Sequence, residues 1–200
     1  MEKIDFKKKL KHLYSASARE PALVEVPAMK FLWVDGQGDP NSPLFQSAIE
    51  LLYGLSYGLK FTLKKRGRDY AIPPLEGLWW MEGIEGFDVN RREDWRWSLM
   101  VMQPDFVTAE LVAQARAELA AKRGEPSLAA RFEPFHEGLC AQILHIGPYA
   151  AEGPTIEKLH RFAEAQGYRL HGRHHEIYLG DPRRSAPEKL KTLLRHPVRK

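Results

Sequence analysis

Gly36 and Gly147 are each followed, at the same distance along the chain, by a proline, Pro43 and Pro154, and both pairs fall between a strand-like stretch and a helical one. Laying one over the other also sets Phe45 over Ile156 and Ala48 over Leu159, so the apolar stripes of the two helices agree in part. Proline suits the first helical position because its missing N–H would have had no partner there, so proline by itself is weak evidence. Glycine, proline and stripe together point to a duplication, two strand-helix-strand units on one plan. Such a chain sets two small sheets side by side with helices on one face and leaves the other face as a groove between the halves, where ligand sites often form.

Residue periodicity predicts the elements around these landmarks. Residues 1–20 are polar and basic with scattered Ile4, Phe6, Leu10, Leu13 and Tyr14, and predict a partly helical docking arm ahead of one ligand-binding domain over 21–200. Leu23 to Val34 reads as one strand, closed by the turn chemistry of Asp35-Gly36-Gln37-Gly38-Asp39-Pro40. Ser42 then caps a helix that Pro43 opens and Gly67 closes. Asp69–Met81 and Asp94–Gln103 read as paired strands joined by residues 82–93, and Thr108 caps a second helix ended by Gly124. Leu128–Phe135 and Leu139–Ile146 read as a hairpin about His136-Glu137-Gly138. Glu152–Gln166 reads as a third helix capped by Gly167, and Pro187–Leu194 as a further short helix. The expected fold is α+β, with duplicated β-α-β-β units over roughly 23–104 and 128–184 forming antiparallel sheet.

Composition narrows the class. A chain of 200 residues, 44% hydrophobic and 10% aromatic, builds a substantial core. No apolar run is long enough to cross a bilayer, and the start Met1-Glu2-Lys3-Ile4-Asp5-Phe6 lacks the apolar stretch of a secretory signal, so a cytoplasmic protein is expected. The single cysteine, Cys140, excludes an internal disulfide and a multi-cysteine zinc site, and reads as a small core residue. The net charge of +4 invites a nucleic-acid reading, but much of it sits at element ends, as in Lys64-Lys65-Arg66 before Gly67 and Lys122-Arg123 before Gly124. Helix dipoles favour cations there, no nucleic-acid-binding motif accompanies them, and nucleic acid is not the expected partner.

The stretch from His174 to Pro182 carries the chemistry. Strand side chains alternate, so His174, Glu176 and Tyr178 share one face while His175, Ile177 and Leu179 share the other. A carboxylate withdrawn from water must find a partner, shift its pKa or meet a cation. The strands supply many aromatics, among them Trp33, Trp79, Trp80, Trp95 and Trp97, and a helix adds Tyr53 and Tyr57. Rings around a carboxylate make a receptor for lipophilic cations. Glu176 is therefore the leading ligand-binding residue, with Tyr178 to position the ligand and Tyr149, Trp80, Trp97 and Tyr57 as walls. Glu152, just ahead of the third helix, has a bland explanation in the helix dipole. It also offers a second carboxylate, the minimum for hydrolysing an activated electrophile, so Glu176 and Glu152 are the catalytic candidates if the protein is an enzyme; Glu82 is a third. His174 and His175 point to opposite faces and do not share an ion, so they read as flanks, and neither metal nor cofactor is expected.

His145-Ile146-Gly147-Pro148-Tyr149, followed by a helix and then His175-Glu176-Ile177-Tyr178-Leu179-Gly180-Asp181-Pro182, resembles the GyrI-like small-molecule-binding family. The likeness is to its stand-alone branch, and extends to Lys3-Ile4-Asp5-Phe6-Lys7, Tyr14-Ser15-Ala16-Ser17, Val34-Asp35-Gly36-Gln37-Gly38-Asp39-Pro40 and Met102-Gln103-Pro104-Asp105-Phe106. The resemblance implies a groove for bulky, aromatic, often cationic compounds, with Glu176 at the position where a pocket glutamate of related effector domains meets the cation. It implies two further readings. Some members hydrolyse cyclopropane-containing alkylating toxins with groove glutamates, and the name-giving member restrains DNA gyrase by protein contact, for which this chain offers no motif.

Overall fold

The duplicated spacing becomes two β-α-β-β units in the computed structural model, which describes residues 3–84, 88 and 90–200. Met1 and Glu2 of the start, and residues 85–87 and 89 of the connection between the paired strands, lie outside the described residues. The chain runs through α1 (Phe6–Lys9), α2 (Lys11–Tyr14), β1 (Ala22–Val26), β2 (Met29–Gln37), α3 (Pro43–Lys65), β3 (Leu75–Trp80), β4 (Arg96–Gln103), α4 (Ala109–Arg123), β5 (Arg131–Phe135), β6 (Gly138–Ile146), α5 (Gly153–Ala165), β7 (Arg169–Leu170), β8 (His174–Tyr178) and β9 (Lys191–Arg199). One repeat is β2-α3-β3-β4 and the other β6-α5-β8-β9. In each, the first strand pairs antiparallel with the last, β2 with β4 and β6 with β9.

The first unit comprises residues 1–9, 29–73 and 79–135. Here β2 lies between β4 and β5. The start of α3 follows the sequence reading: Ser42 accepts a hydrogen bond from the Phe45 N–H, and Pro43 opens the helix. Its leucines Leu52, Leu55, Leu59 and Leu63 are buried, and α4 packs beside it, where Gly54 meets Leu119 and Gly58 meets Ala115. Gly36 is a strand residue instead of the expected turn residue. It lies opposite Trp97 in the β2/β4 register, and a Cβ there would come within 2.2 Å of the indole. Gly147 earns its place differently, through a φ of +143° just past β6. The two landmark glycines thus serve one topology for unrelated steric reasons.

The second unit comprises residues 10–28, 74–78 and 136–200. Its strands run β1-β6-β9-β8, with Leu75–Leu78 of β3 beside β8 and β7 also on β9. Helix α5 covers one face of this sheet. Leu159 and Ala163 pack there on Ala141, Ile143, Leu194 and Val198, burying the stripe that helical spacing predicts.

Several expectations give way. The hairpin over 128–146 does not form: β5 pairs with β2, while β6 pairs with β1 and β9. Edge position also accommodates Pro134, which has no N–H for a second ladder. The strand read over 23–34 breaks at Pro27-Ala28, and the one read over 69–81 shortens to Leu75–Trp80. The expected helix over 187–194 is a single tight turn, Pro187–Lys189, followed by β9. The unit could not close its sheet without that strand. The N-terminal arm docks through buried residues: Phe6 packs edge-on against Tyr70, and Leu13 and Tyr14 are enclosed. Cys140 is buried, as a core residue should be. Among the described residues no helix is long and apolar enough to cross a membrane.

Candidate functional site

Strand β8 delivers the alternation that its sequence predicts. Glu176 pairs across to Leu194 and Tyr178 to Thr192, which itself lies opposite His145, so these residues share the face that α5 covers. Glu176 sits near the helix N-terminus with 16% of its side chain exposed. The Tyr178 hydroxyl donates to its Oε2 at 2.8 Å, and His174 Nε2 lies 3.3 Å from its Oε1. The ring of Tyr178 meets Tyr149 edge-on, with centroids 5.7 Å apart.

Glu152 occupies the residue just before α5 and is only 4% exposed. Its side chain makes no capping hydrogen bond, and burial, then the neighbouring Glu176, push its pKa up to about 9, the reverse of what a helix N-terminus does to an acid. Thr192 also lies close enough to perturb it, yet Glu152 Oε1 and Thr192 Oγ1 are both buried without a partner at hydrogen-bonding geometry. Two carboxyl groups that face each other away from water share one proton, because ionising both would set like charges together in a poor dielectric. The same surroundings act on Tyr149: burial, then Glu152 and Glu176, push its phenol up to about 12, so it remains a donor.

The turn that carries Tyr149 and Glu152 is clamped from below. His145 is buried beneath it, with Nδ1 2.9 Å from Thr155 Oγ1 and Nε2 3.3 Å from the Pro148 carbonyl, and the Gly147 N–H donates to Leu190 O. Thr155 of α5 and Leu190, just ahead of β9, thereby hold the loop.

Four of the expected site residues, Glu152, Glu176, Tyr149 and Tyr178, come together in the second unit. Trp80, Trp97, Tyr57 and Glu82 belong to the first. Trp97 is a correction: it is wholly buried, packed edge-on against Phe45 at 5.0 Å and held under Gly36, so it is core instead of a wall. Tyr57 is 48% exposed on α3. Glu82 is an open surface acid paired with Arg96 at 3.1 Å. Trp80, at the end of β3, is half-buried.

The opposite face of β8 holds what periodicity did not reveal. His175, read as a flank, is the centre of a buried polar chain. Its Nε2 lies 3.0 Å from Glu76 Oε2 and its Nδ1 2.9 Å from Glu137 Oε1. Tyr14 donates to Glu76 at 3.0 Å. Arg195 donates to Glu137 at 3.3 Å, to Gln142, and to the Leu13 carbonyl at 2.6 Å. Burial works against both central charges. His175 and then Arg195 nevertheless hold Glu137 down at about 2, while Glu137 and then Glu76 hold His175 up at about 9. The signal available in the sequence was Arg195 among apolar neighbours, a charge that burial tolerates only with a partner.

Residues 19–199 match the family described as the GyrI-like small molecule binding domain. The fold is similar to two hydrolases of Listeria innocua. One is 39% identical with a TM-score of 0.90, over 99% of this chain and 100% of that one. The other is 38% identical with a TM-score of 0.85, over 98% and 100%. The C-terminal domain of EcmrR shares the fold at 16% identity, with a TM-score of 0.56 over 90% of this chain and 98% of that one. No curated protein matches the chain.

Proposed function

Because this chain belongs to the GyrI-like small-molecule-binding family, we propose that it binds a lipophilic, electrophilic small molecule beside Glu152 and Glu176 and hydrolyses it. The observation that carries this reading is the carboxyl pair, in which burial and then the neighbouring Glu176 hold Glu152 protonated. A general acid and a general base must differ in protonation at the same pH, and two like residues achieve this when their surroundings push their pKa values apart. Glu152 is the acid: it keeps its proton to about 9. Glu176 is the base, with one oxygen held by the Tyr178 hydroxyl and the other 3.3 Å from His174 Nε2.

For a strained or otherwise activated ring the proton count closes. Glu176 takes a proton from water as the water oxygen bonds to the electrophilic carbon. The bond to the departing atom breaks, and Glu152 gives that atom its proton. One water is added, the pair still holds one proton, and its return from Glu176 to Glu152 resets the site. Tyr149 and Tyr178 supply ring surface for the aromatic body of the substrate. The two hydrolases of Listeria innocua, similar over nearly their whole length, support the same class of reaction.

Passive capture of a cation is the second reading, favoured by a carboxylate set beside two tyrosine rings. A cyclopropane-bearing alkylator separates the two. The hydrolase consumes it over many turnovers, and Glu152→Gln and Glu176→Gln each slow consumption steeply while the compound still binds. Stoichiometric binding with the compound recovered intact selects capture instead and rejects hydrolysis.

A further inference from the structure

Helix α3 presents three faces. One buries Leu52, Leu55, Leu59 and Leu63, and a second, through Gly54 and Gly58, receives α4. The third carries a row of rings: half-buried Tyr53 lies tilted against Tyr57, with centroids 6.3 Å apart, and Tyr57 stacks on Phe61 at 6.0 Å. Tyr57 is 48% exposed and Phe61 54%. At about 100° per residue, Gln46, Glu50, Tyr53, Tyr57, Phe61 and Lys64 all lie within about 40° of Tyr57. Their steps of three and four residues keep them on one face of the helix, as in a helix-helix seam. Neighbouring exposed rings such as Tyr57 and Phe61 mark an interaction surface more often than chance.

The arrangement of charge says what fits. Glu50 and Lys64 stand equally far from Tyr57 on either side, and so do Tyr53 and Phe61. Glu50 is exposed, and Lys64 is held only loosely, 3.8 Å from Asp69. A second α3 laid antiparallel about a twofold axis at Tyr57 sets Tyr57 on Tyr57, Tyr53 on Phe61, and Glu50 on Lys64, each unlike pair occurring twice. A parallel partner would set Glu50 against Glu50 and Lys64 against Lys64. The row is self-complementary in one direction only.

We propose that this stripe is a self-association surface, on which a second copy of the chain packs its α3 antiparallel about an axis at Tyr57. Sedimentation of the protein then finds a dimer. Tyr57→Asp, which sets two like charges on the axis, weakens it by about tenfold or more with an unchanged circular dichroism spectrum, and Glu50→Lys weakens it through repulsion from Lys64. A Tyr57→Cys variant forms an intermolecular disulfide under mild oxidation, while Lys122→Cys on α4 does not; native Cys140 is buried and stays out of the reaction. A protein that stays monomeric at its highest soluble concentration overturns the proposal, as does a dimer indifferent to Tyr57→Asp. Tyr57-dependent binding of a monomer to phosphatidylglycerol vesicles would give the stripe to a lipid surface and overturn it equally.

Discussion

The two faces of the second unit's sheet each hold a pair of glutamates, all buried except the part-exposed Glu176, and β8 touches both. On one face Glu76 and Glu137 flank His175, with Arg195 beside Glu137. On the other Glu152 and Glu176 meet one another. The first arrangement supplies cations and fills its hydrogen bonds, and its glutamate titrates at about 2. The second leaves a buried oxygen without a partner, and its glutamate titrates at about 9. Burial opposes ionisation in both places, so the neighbour decides the sign. A carboxylate set against cations braces the fold; a carboxyl set against a carboxylate is poised to move a proton.

The largest expected difference is in turnover. Glu152→Gln and Glu176→Gln each lower the rate on an activated electrophile by about 10²–10⁴-fold, the usual worth of a positioned acid or base, measured as substrate consumed per folded molecule. In stability the same chemical change has opposite consequences on the two faces. Glu137→Gln takes away the carboxylate that His175 and Arg195 share, leaving His175 to Glu76 and Arg195 to Gln142 and the Leu13 carbonyl, and costs about 3–5 kcal/mol in urea unfolding. Glu152→Gln removes a carboxyl that the fold prefers neutral, and leaves stability level or higher. Equal losses at both positions would erase the distinction between the faces.

The pH dependence sharpens it further. His175 has its folded pKa raised from 6.5 to about 9, so its contribution is complete below about 6.5 and is lost as pH climbs through 9. Glu152 is raised from 4.5 to about 9, so it too favours the fold at low pH and opposes it progressively over that window. Thermal melts of the wild type should fall between neutral pH and 9. Glu152→Gln should flatten part of that fall, and turnover should vanish above 9 as Glu152 loses its proton. The smallest effect is at Tyr178→Phe, which removes one donor to Glu176. Ligand affinity should weaken by about 1.5–3 kcal/mol at most, with the melting temperature little changed.

How much of this was legible in the sequence depends on the range of the interaction. Alternation along His174–Tyr178 placed Glu176 and Tyr178 on one face, and the turn before α5 made Glu152 a candidate, because strand and helix periods are local. Glu76 and Glu137 were not legible as partners of His175. Nothing near them in sequence signals a contact made through strand pairing over so long a separation. β9 was missed because Arg195 and Pro197 contradict strand propensity, and each is tolerated only by context: Arg195 by Glu137 and Gln142, Pro197 by its position near the end of the ladder. Trp97 was misplaced because aromatic character alone does not separate a wall from a core. The Cβ-free surface of Gly36 beneath its ring does.

The central claim is that burial, reinforced by the opposing Glu176, holds Glu152 protonated. A carboxyl carbon-13 titration of glutamate-labelled protein, with Glu152 assigned by its loss in Glu152→Gln, tests this directly. The account predicts a Glu152 midpoint near 9 that falls when Glu176→Gln removes the opposing charge. A midpoint near the ordinary 4.5, or one that Glu176→Gln leaves in place, would contradict it.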